Sequence, residues 1–286
     1  MSTNLLEVKD LNVRYGGPGG HLAVDGASLT IGRGERVALV GESGSGKTTL
    51  AMAIAGFQTA NDVTLDSTTF TFEGRQLGVK PSTGSPLPKK VSDIAMVFQD
   101  AMTSLDATWS IGSQLRAVLK SQGKASRKAL DAKAAEWLRR VNLTDTDRVL
   151  GSRPYELSGG MRQRVMMALA LCSEPTLLIA DEPTSALDAG LARSTMDLLV
   201  ELTEERGTAL LIVTHDIHLC REYTDRLMVM YHGVLVEQLR SRTAERDARH
   251  PYTAGLLKCI PTLGSVNERS LPTLADFLTQ TTEAAA

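Results

Sequence analysis

Residues 41–48 read GESGSGKT, and this segment decides the fold. It fits the pattern G-x-x-x-x-G-K-[ST] of a phosphate-binding loop. The apolar segment Glu35–Val40 before it is typical of a buried strand. The segment after it is typical of a helix that Gly56 can close. A strand, a glycine-rich loop and a helix in this order predict an α/β fold whose loop binds phosphate.

The residue types of this loop suit a nucleotide. Glycines let the backbone curl so that successive N–H groups point at phosphate oxygens, and the helix N-terminus adds its positive end. We expect Lys47 to reach the β- and γ-phosphates and the Thr48 hydroxyl to ligate Mg²⁺. The residues predicted to hold the nucleotide here are Gly41, Glu42, Ser43, Gly44, Ser45, Gly46, Lys47, Thr48 and Thr49.

The remaining pattern alternates between strands and helices. Alternation of apolar and polar residues predicts strands at Leu6–Tyr15 and Ala27–Ile31, with a turn at Asp25-Gly26 between them, and these strands suggest an antiparallel flank. Spacings of three and four predict helix from Ile111 to Val141. Further predictions are strands at Thr69–Phe72, Ile94–Phe98, Thr176–Ala180 and Ala209–Val213, an exposed loop at Gly78–Lys90, and a hairpin over Leu227–Gln238 that turns at His232-Gly233.

Apolar strands alternating with helices imply a mainly parallel sheet covered on both faces. The helical block at about 101–165 interrupts this pattern and is predicted to be an inserted subdomain.

The composition excludes several other classes of protein. The formal net charge of −2, without a dense basic block, argues against a dedicated nucleic-acid surface, so no nucleic-acid partner is expected.

The three cysteines, at 172, 220 and 259, are too few and too scattered for a disulfide framework or a four-ligand metal site. The N-terminus lacks the pattern of a secretory signal. The longest apolar run, about Val165–Cys172, is far below the roughly 18 residues that span a bilayer. If the protein acts at a membrane, a partner chain must do the spanning.

Two carboxylates follow a predicted buried strand. Asp181 and Glu182 come at the end of LLIADE, where ligands of open α/β sheets bind. Asp181 can hold Mg²⁺ through its water shell, and Glu182 can act as general base for the attacking water. The alternative is an acidic N-cap for a helix after Pro183.

Polar residues also follow other strands. Gln99 and His215 come directly after two of them, where Gln99 could coordinate Mg²⁺ and His215 could hydrogen-bond a γ-phosphate. Ordinary strand-end polarity is the alternative for both. Tyr15 precedes a glycine-rich turn and could stack on a base, or it could be a strand-end core residue.

A second glycine pair occurs in LSGGMRQR, residues 157–164. Ser158 is predicted to cap the helix that starts near Gly160, which leaves its hydroxyl and the free backbone N–H groups of that turn to meet an anion. A cap alone would explain Ser158, Gly159 and Gly160. It would not explain why a complete set of ATP-site motifs accompanies them.

Five motifs in order resemble those of ATP-binding-cassette (ABC) ATPases. These are GESGSGKT, Gln99, LSGGM, LLIADEPTSALD and the His215 of VTHD, and the resemblance covers about residues 5–240. It implies a P-loop NTPase cassette with a RecA-like core, an antiparallel β flank and an inserted helical subdomain. Met161 stands where the family usually has Gln, and we expect this to be tolerated because Ser158 and the backbone make the phosphate contacts.

The resemblance implies that two cassettes pair head to tail, so that Ser158, Gly159 and Gly160 contact the partner's ATP. Asp188 lies in the segment that crosses the dimer interface in this family. The implied cofactors are ATP and Mg²⁺. The implied partners are a second ABC ATPase, in a homodimer or heterodimer, two membrane permeases and, indirectly, an extracytoplasmic binding protein. The implied location is peripheral, on the cytoplasmic face of the cell membrane.

The segment HPYTAGLL, residues 250–257, resembles the oligopeptide/dipeptide/nickel importer branch. We therefore expect a nucleotide-binding domain over 1–240 and a shortened C-terminal extension over 241–286. No iron–sulphur cluster is expected, because only Cys259 lies beyond residue 220 and a cluster normally needs four ligands.

The function predicted from this resemblance is ATP hydrolysis that energises import of peptides or similar small polar solutes. The alternative is an accessory ATPase of a soluble enzyme assembly such as carbon–phosphorus lyase. Export, DNA repair and translation are disfavoured, because the chain lacks a fused membrane domain, long coiled coils and a second cassette.

Overall fold

The computed structural model describes residues 4–17, 19–58, 63–77, 93–100, 104–185 and 187–258. The chain folds as two compact units. The first unit combines Met1–Lys89 with Ile212–Ala286, and the second is Lys90–Leu211.

The strands, in chain order, are β1 Asn4–Tyr15, β2 His21–Gly32, β3 Arg36–Val40, β4 Val63–Asp66, β5 Thr69–Phe72, β6 Arg75–Gln76, β7 Ile94–Val97, β8 Leu177–Asp181, β9 Ala209–Thr214, β10 Arg226–Tyr231 and β11 Val234–Arg240. The helices are α1 Lys47–Ala55, α2 Ile111–Ser121, α3 Arg127–Arg140, α4 Thr146–Gly151, α5 Gly159–Leu171, α6 Ala189–Glu204, α7 Ile217–Tyr223, α8 Ala244–Asp247 and α9 Pro251–Lys258. The chain passes from the second unit to the first within β9.

The first unit contains the predicted antiparallel flank. Its strands lie in the order β2-β1-β5-β6, with β4 also paired to β1. Buried Leu6, Val8 and Phe70 face one side of this sheet, as the alternation of apolar and polar residues requires.

The turn predicted at Asp25-Gly26 is wrong, because both residues lie inside β2. Gly26 has a φ of 58°, and its N–H donates to Oδ1 of Asn12 at 2.9 Å, at a shift in the β1–β2 register. The pair therefore marks a β-bulge, which glycine permits through its positive φ. The chain reverses instead just after β1, where the Gly20 N–H donates to the Gly17 carbonyl at 3.0 Å.

The predicted hairpin is confirmed. β10 pairs antiparallel with β11 and parallel with β3, the strand that precedes the phosphate loop. His232 and Gly233 form its two-residue turn with φ of 44° and 85°. Positive φ at both positions is what a tight hairpin turn needs.

The predicted closure of α1 is also confirmed, because Gly56 has a φ of 72° and caps the helix.

In the second unit, β7 and β8 pair in parallel and are buried along their whole length. The helical stretch predicted from Ile111 to Val141 forms two helices rather than one. α2 ends at Ser121, and Ser126 caps α3 by accepting from the Ala129 N–H at 3.3 Å. Ser126 therefore starts a new helix, whereas the spacing of apolar residues alone predicts one continuous helical stretch.

The predicted loop at Gly78–Lys90 and the chain after residue 258 lie outside the described residues. Among those described, none of the helices is long and apolar enough to cross a membrane. The division into domains at residue 240 stays a prediction.

Candidate nucleotide site

The phosphate loop of the first unit curls around the side chain of Lys47, which is 7% exposed. Its Nζ donates to the carbonyls of Gly41 at 2.9 Å and Glu42 at 2.7 Å. The loop therefore closes back on the residue that begins α1. A helix cannot satisfy the N–H groups of its own first turn, so this end of α1 offers donors and positive potential to an anion.

The hairpin turn between β10 and β11 packs against the outside of the phosphate loop. The Gly233 N–H donates to the Ser45 carbonyl at 3.0 Å, and the Gly233 carbonyl accepts from the Asp25 N–H at 2.8 Å. The β-bulge of β2, the hairpin turn and the loop are therefore joined by backbone hydrogen bonds. No local sequence pattern predicts this support, because the three segments are distant in the chain.

Neighbouring backbone segments lie so close to the loop that two of its positions require glycine. A Cβ on Gly41 would lie 2.1 Å from the Met230 carbonyl oxygen, and one on Gly46 would lie 2.4 Å from that of Ala23. Gly44 differs, because a Cβ there would meet nothing within 4 Å, although its φ is 80°. The loop thus presents one face to its own chain and leaves the turn at Gly44 open, as a phosphate cradle requires.

Two other predicted residues of the first unit lie at strand ends. Tyr15 is the last residue of β1, and its hydroxyl donates to Oε1 of Gln58 at 3.2 Å. Gln58 donates in turn to the Thr49 carbonyl at 3.1 Å, so Tyr15 is tied to the helix that follows the loop. His215 is exposed and follows β9 directly.

The second unit holds the predicted carboxylates. Asp181 is the last residue of β8 and is 3% exposed. Glu182 follows with a φ of 48°, and its carbonyl accepts from the Ser185 N–H and Oγ at 3.2 Å each. Positive φ is uncommon for a residue with a side chain, and such strain clusters at functional sites.

The alternative that Asp181 or Glu182 caps the next helix is wrong. That helix, α6, begins at Ala189, and its cap is Asp188. The Asp188 carboxylate accepts from the N–H groups of Gly190 and Leu191, both at 3.0 Å.

The predicted cap at Ser158 is confirmed. Ser158 precedes α5, and its Oγ accepts from the Met161 N–H at 3.3 Å. We call residues Ser158, Gly159 and Gly160 the signature turn. A Cβ on Gly160 would meet nothing within 4 Å, and one on Gly159 would approach only Nη2 of Arg162, at 4.0 Å. The packing of the described residues therefore does not demand glycine at either position.

One contact of the second unit was missed at the sequence level. The side-chain amide of Gln163, on α5, donates to the Pro183 carbonyl, directly after Glu182. This bond ties the helix of the signature turn to the turn that carries the predicted general base. A lone glutamine on a helix face gives no local signal of such a partner.

The predicted Mg²⁺ ligands are oxygen donors, which suit this hard cation. Thr48 lies in the first unit, whereas Gln99, exposed after β7, and the buried Asp181 lie in the second. Mg²⁺ usually keeps several waters and takes one or two carboxylates from the protein, and this chain offers Asp181 for that purpose. In the described part of the chain, no group of three or more His, Cys, Asp or Glu could hold a metal ion.

Comparison with known proteins defines the class. Residues 24–185 match the ABC transporter family. The oligopeptide transport ATP-binding protein OppD of Bacillus subtilis is 39% identical over 270 residues, covering 94% of this chain and 75% of that protein. The dipeptide transport ATP-binding protein DppD of Haemophilus influenzae is 38% identical over 260 residues, covering 90% and 78%. The chain belongs to the ABC transporter family.

Solved structures agree with this assignment. The protein cbiO1 from Clostridium perfringens, part of an ABC transporter complex, superimposes with a TM-score of 0.69 at 26% identity, covering 86% of this chain and 92% of that one. A dimeric ATP-binding cassette bound to ADP and Pi in a post-hydrolysis state gives a TM-score of 0.68, also at 26% identity, covering 83% and 99%. The predicted fold class, a P-loop ABC cassette, is confirmed, and the chain is an ATP-binding ATPase of this family.

Proposed function

We propose that this chain energises an importer of peptides or similar small polar solutes by hydrolysing ATP held between two cassettes. Relatives named as oligopeptide and dipeptide transport ATP-binding proteins support the solute class. The same names favour import over service in a soluble enzyme assembly.

The observation that carries the two-cassette arrangement is the signature turn. Glycine in a helix costs up to about 1 kcal/mol relative to alanine. Apart from the neighbouring residues and backbone of its own helix, no described part of this chain lies within 4 Å of a Cβ built on Gly160, so the packing does not offset that cost. A surface that must let the backbone approach a ligand from another chain supplies the missing reason. The partner's ATP phosphates are that ligand in this proposal.

The roles of the other residues follow from their chemistry. Lys47 and the backbone of the phosphate loop bind the phosphates, Tyr15 stacks on the base, and Glu182 accepts a proton from the attacking water. His215 donates a hydrogen bond to the γ-phosphate. Asp188 contributes to the interface between the cassettes. Bound Mg²⁺, assigned to Thr48, Gln99 and Asp181, would neutralise charge on the phosphates.

The partners in this proposal are a second ABC ATPase, two membrane permeases and, indirectly, a solute-binding protein outside the membrane. A heterodimer with a sibling ATPase is favoured over a homodimer. The chain then lies on the cytoplasmic face of the membrane without crossing it. Purifying the native complex from membranes and identifying its chains tests this assembly. Soluble enzyme subunits in place of permeases would contradict it.

The hydrolytic role is tested by replacing the predicted base. Glu182→Gln keeps the shape of the side chain and removes its basicity, so turnover should fall by about 10²- to 10⁴-fold while ATP binding survives. Steady-state hydrolysis and equilibrium binding measure the two effects. The matched control is Glu205→Gln, at the C-cap of α6, which should leave turnover unchanged. Near-normal hydrolysis by Glu182→Gln would remove Glu182 from this role.

A further inference from the structure

The C-terminal segment HPYTAGLL, which belongs to the first unit, is attached to β11 by hydrogen bonds to a carboxylate. Glu237 on β11 accepts from the Arg249 N–H at 2.7 Å and the His250 N–H at 3.2 Å. These bonds fix the chain immediately before α9. The Tyr252 N–H also donates to Nδ1 of His250 at 3.3 Å, which orders the first turn of the helix.

The side chain of Tyr252 lies fully buried, with 0% exposure. Its ring packs against that of Tyr231, at the end of β10, with 4.1 Å between the ring centroids. The Tyr252 hydroxyl oxygen accepts from the Glu42 N–H at 2.9 Å. Burial raises the pKa of Tyr252, so the hydroxyl stays neutral through the physiological range. A residue of the C-terminal segment therefore contacts the second residue of the phosphate loop.

Glu42 is held at both ends of its backbone. Its N–H donates to Tyr252, and its carbonyl accepts from Nζ of Lys47 at 2.7 Å. A displacement of the Glu42 backbone would move one of the two carbonyls that orient the Lys47 ammonium. The hydroxyl of Tyr252 thus acts on the phosphate-binding lysine through a single intervening residue.

We propose that Tyr252 is a positioning residue for the phosphate loop, and that docking of α9 raises the affinity of the chain for ATP. This inference rests on the proposed ATP binding at the loop and adds a regulatory contact to it. Coupling between two sites is reciprocal, so ATP binding stabilises the docked α9 to the same extent. The C-terminal segment and the nucleotide site form one coupled element.

The test compares two hydroxyl deletions in the full chain. Tyr252→Phe keeps the buried ring and removes the acceptor of the Glu42 N–H. Tyr231→Phe is the matched control, because it removes the hydroxyl of the adjacent ring. Tyr252→Phe should raise the Kd and KM for ATP by about three- to tenfold, as the loss of one hydrogen bond predicts, with kcat within about twofold of the parent chain. Tyr231→Phe should leave all three values unchanged.

Hydrogen exchange provides a second measurement that does not depend on activity. ATP should slow exchange of residues 251–258 in the parent chain, and this protection should be smaller in Tyr252→Phe. Equal ATP affinities in the two variants, or no ATP-dependent protection of 251–258 in the parent chain, would overturn the inference. If the parent chain bound no ATP, the proposed function itself would fail. If the parent chain bound ATP and Tyr252→Phe bound it equally tightly, only the role of Tyr252 would be lost.

Discussion

Two glycine-bearing turns precede helices in this protein, and their surroundings differ. The phosphate loop before α1 packs against its own chain on one face, where Gly41 and Gly46 face carbonyls that leave no room for a Cβ. The signature turn before α5 is exposed at Ser158 and Gly159, and Gly160 faces open space.

The difference separates two reasons for using glycine. In the phosphate loop, the fold of the chain itself demands glycine through positive φ and close backbone packing. In the signature turn, the packing of the described residues makes no such demand, and in the proposed function the partner's nucleotide supplies it. Glycine therefore serves the fold in the phosphate loop, and we propose that it serves binding between chains in the signature turn.

The largest contrast is expected from a matched pair of glycine substitutions. Gly46→Ala places a Cβ 2.4 Å from the Ala23 carbonyl oxygen at a φ of 100°, so the loop must distort and ATP binding should be lost. Gly160→Ala should fold with unchanged or slightly higher stability, because alanine favours helix, and should bind ATP normally. Thermal unfolding and ATP binding of the full chain check both variants. Equal loss of ATP binding in the two would remove the distinction between the turns.

A smaller but more specific effect is expected at Ser158. Ser158→Arg should spare ATP binding by the single chain, block ATP-driven pairing of cassettes and lower hydrolysis on the order of a hundredfold. The control is Ser126→Ala, which removes another serine cap with the same 3.3 Å geometry in the same unit. It should cost about 1 kcal/mol of stability and leave hydrolysis intact. Loss of ATP binding by the Ser158→Arg monomer would instead assign the turn to a site within one chain.

The smallest effect is expected for the contact between α5 and the turn after Glu182. Gln163→Ala removes the donor to the Pro183 carbonyl, so we expect kcat to fall by about five- to tenfold with the Kd for ATP unchanged. Gln122→Ala is the control, because Gln122 makes the same type of bond, to the Cys172 carbonyl at 2.8 Å, away from Glu182. Equal kcat values for the two variants would mean that Gln163 has no special influence on Glu182.

Local patterns predicted the elements that depend on local chemistry. The phosphate loop, the cap at Ser158 and the hairpin turn at His232-Gly233 each follow from residue types within a few positions. The turn predicted at Asp25-Gly26 was wrong because these two residue types are compatible with either a turn or a β-bulge. Pairing with β1 decides between them, and that pairing is not local.

The contacts that support the site were beyond prediction for the same reason. Glu42 and Tyr252 are 210 positions apart. The hairpin turn contacts Ser45 through backbone atoms, and a backbone contact of this kind does not require any particular side chain. The His232-Gly233 pair indicated a turn, but it did not indicate what the turn would contact.

The most direct test of the two-chain nucleotide site uses an ATP analogue that carries a photoreactive group on its γ-phosphate. The assembly should contain Lys47→Ala in this chain and an intact phosphate loop in the partner cassette, with one chain isotope-labelled if the partner is a second copy. Crosslinked peptides are then mapped by mass spectrometry. Residues 157–164 of the Lys47→Ala chain should still be labelled, because the nucleotide they contact is bound by the partner. If Lys47→Ala abolished the labelling of residues 157–164 in the same chain, the two-chain nucleotide site would be contradicted.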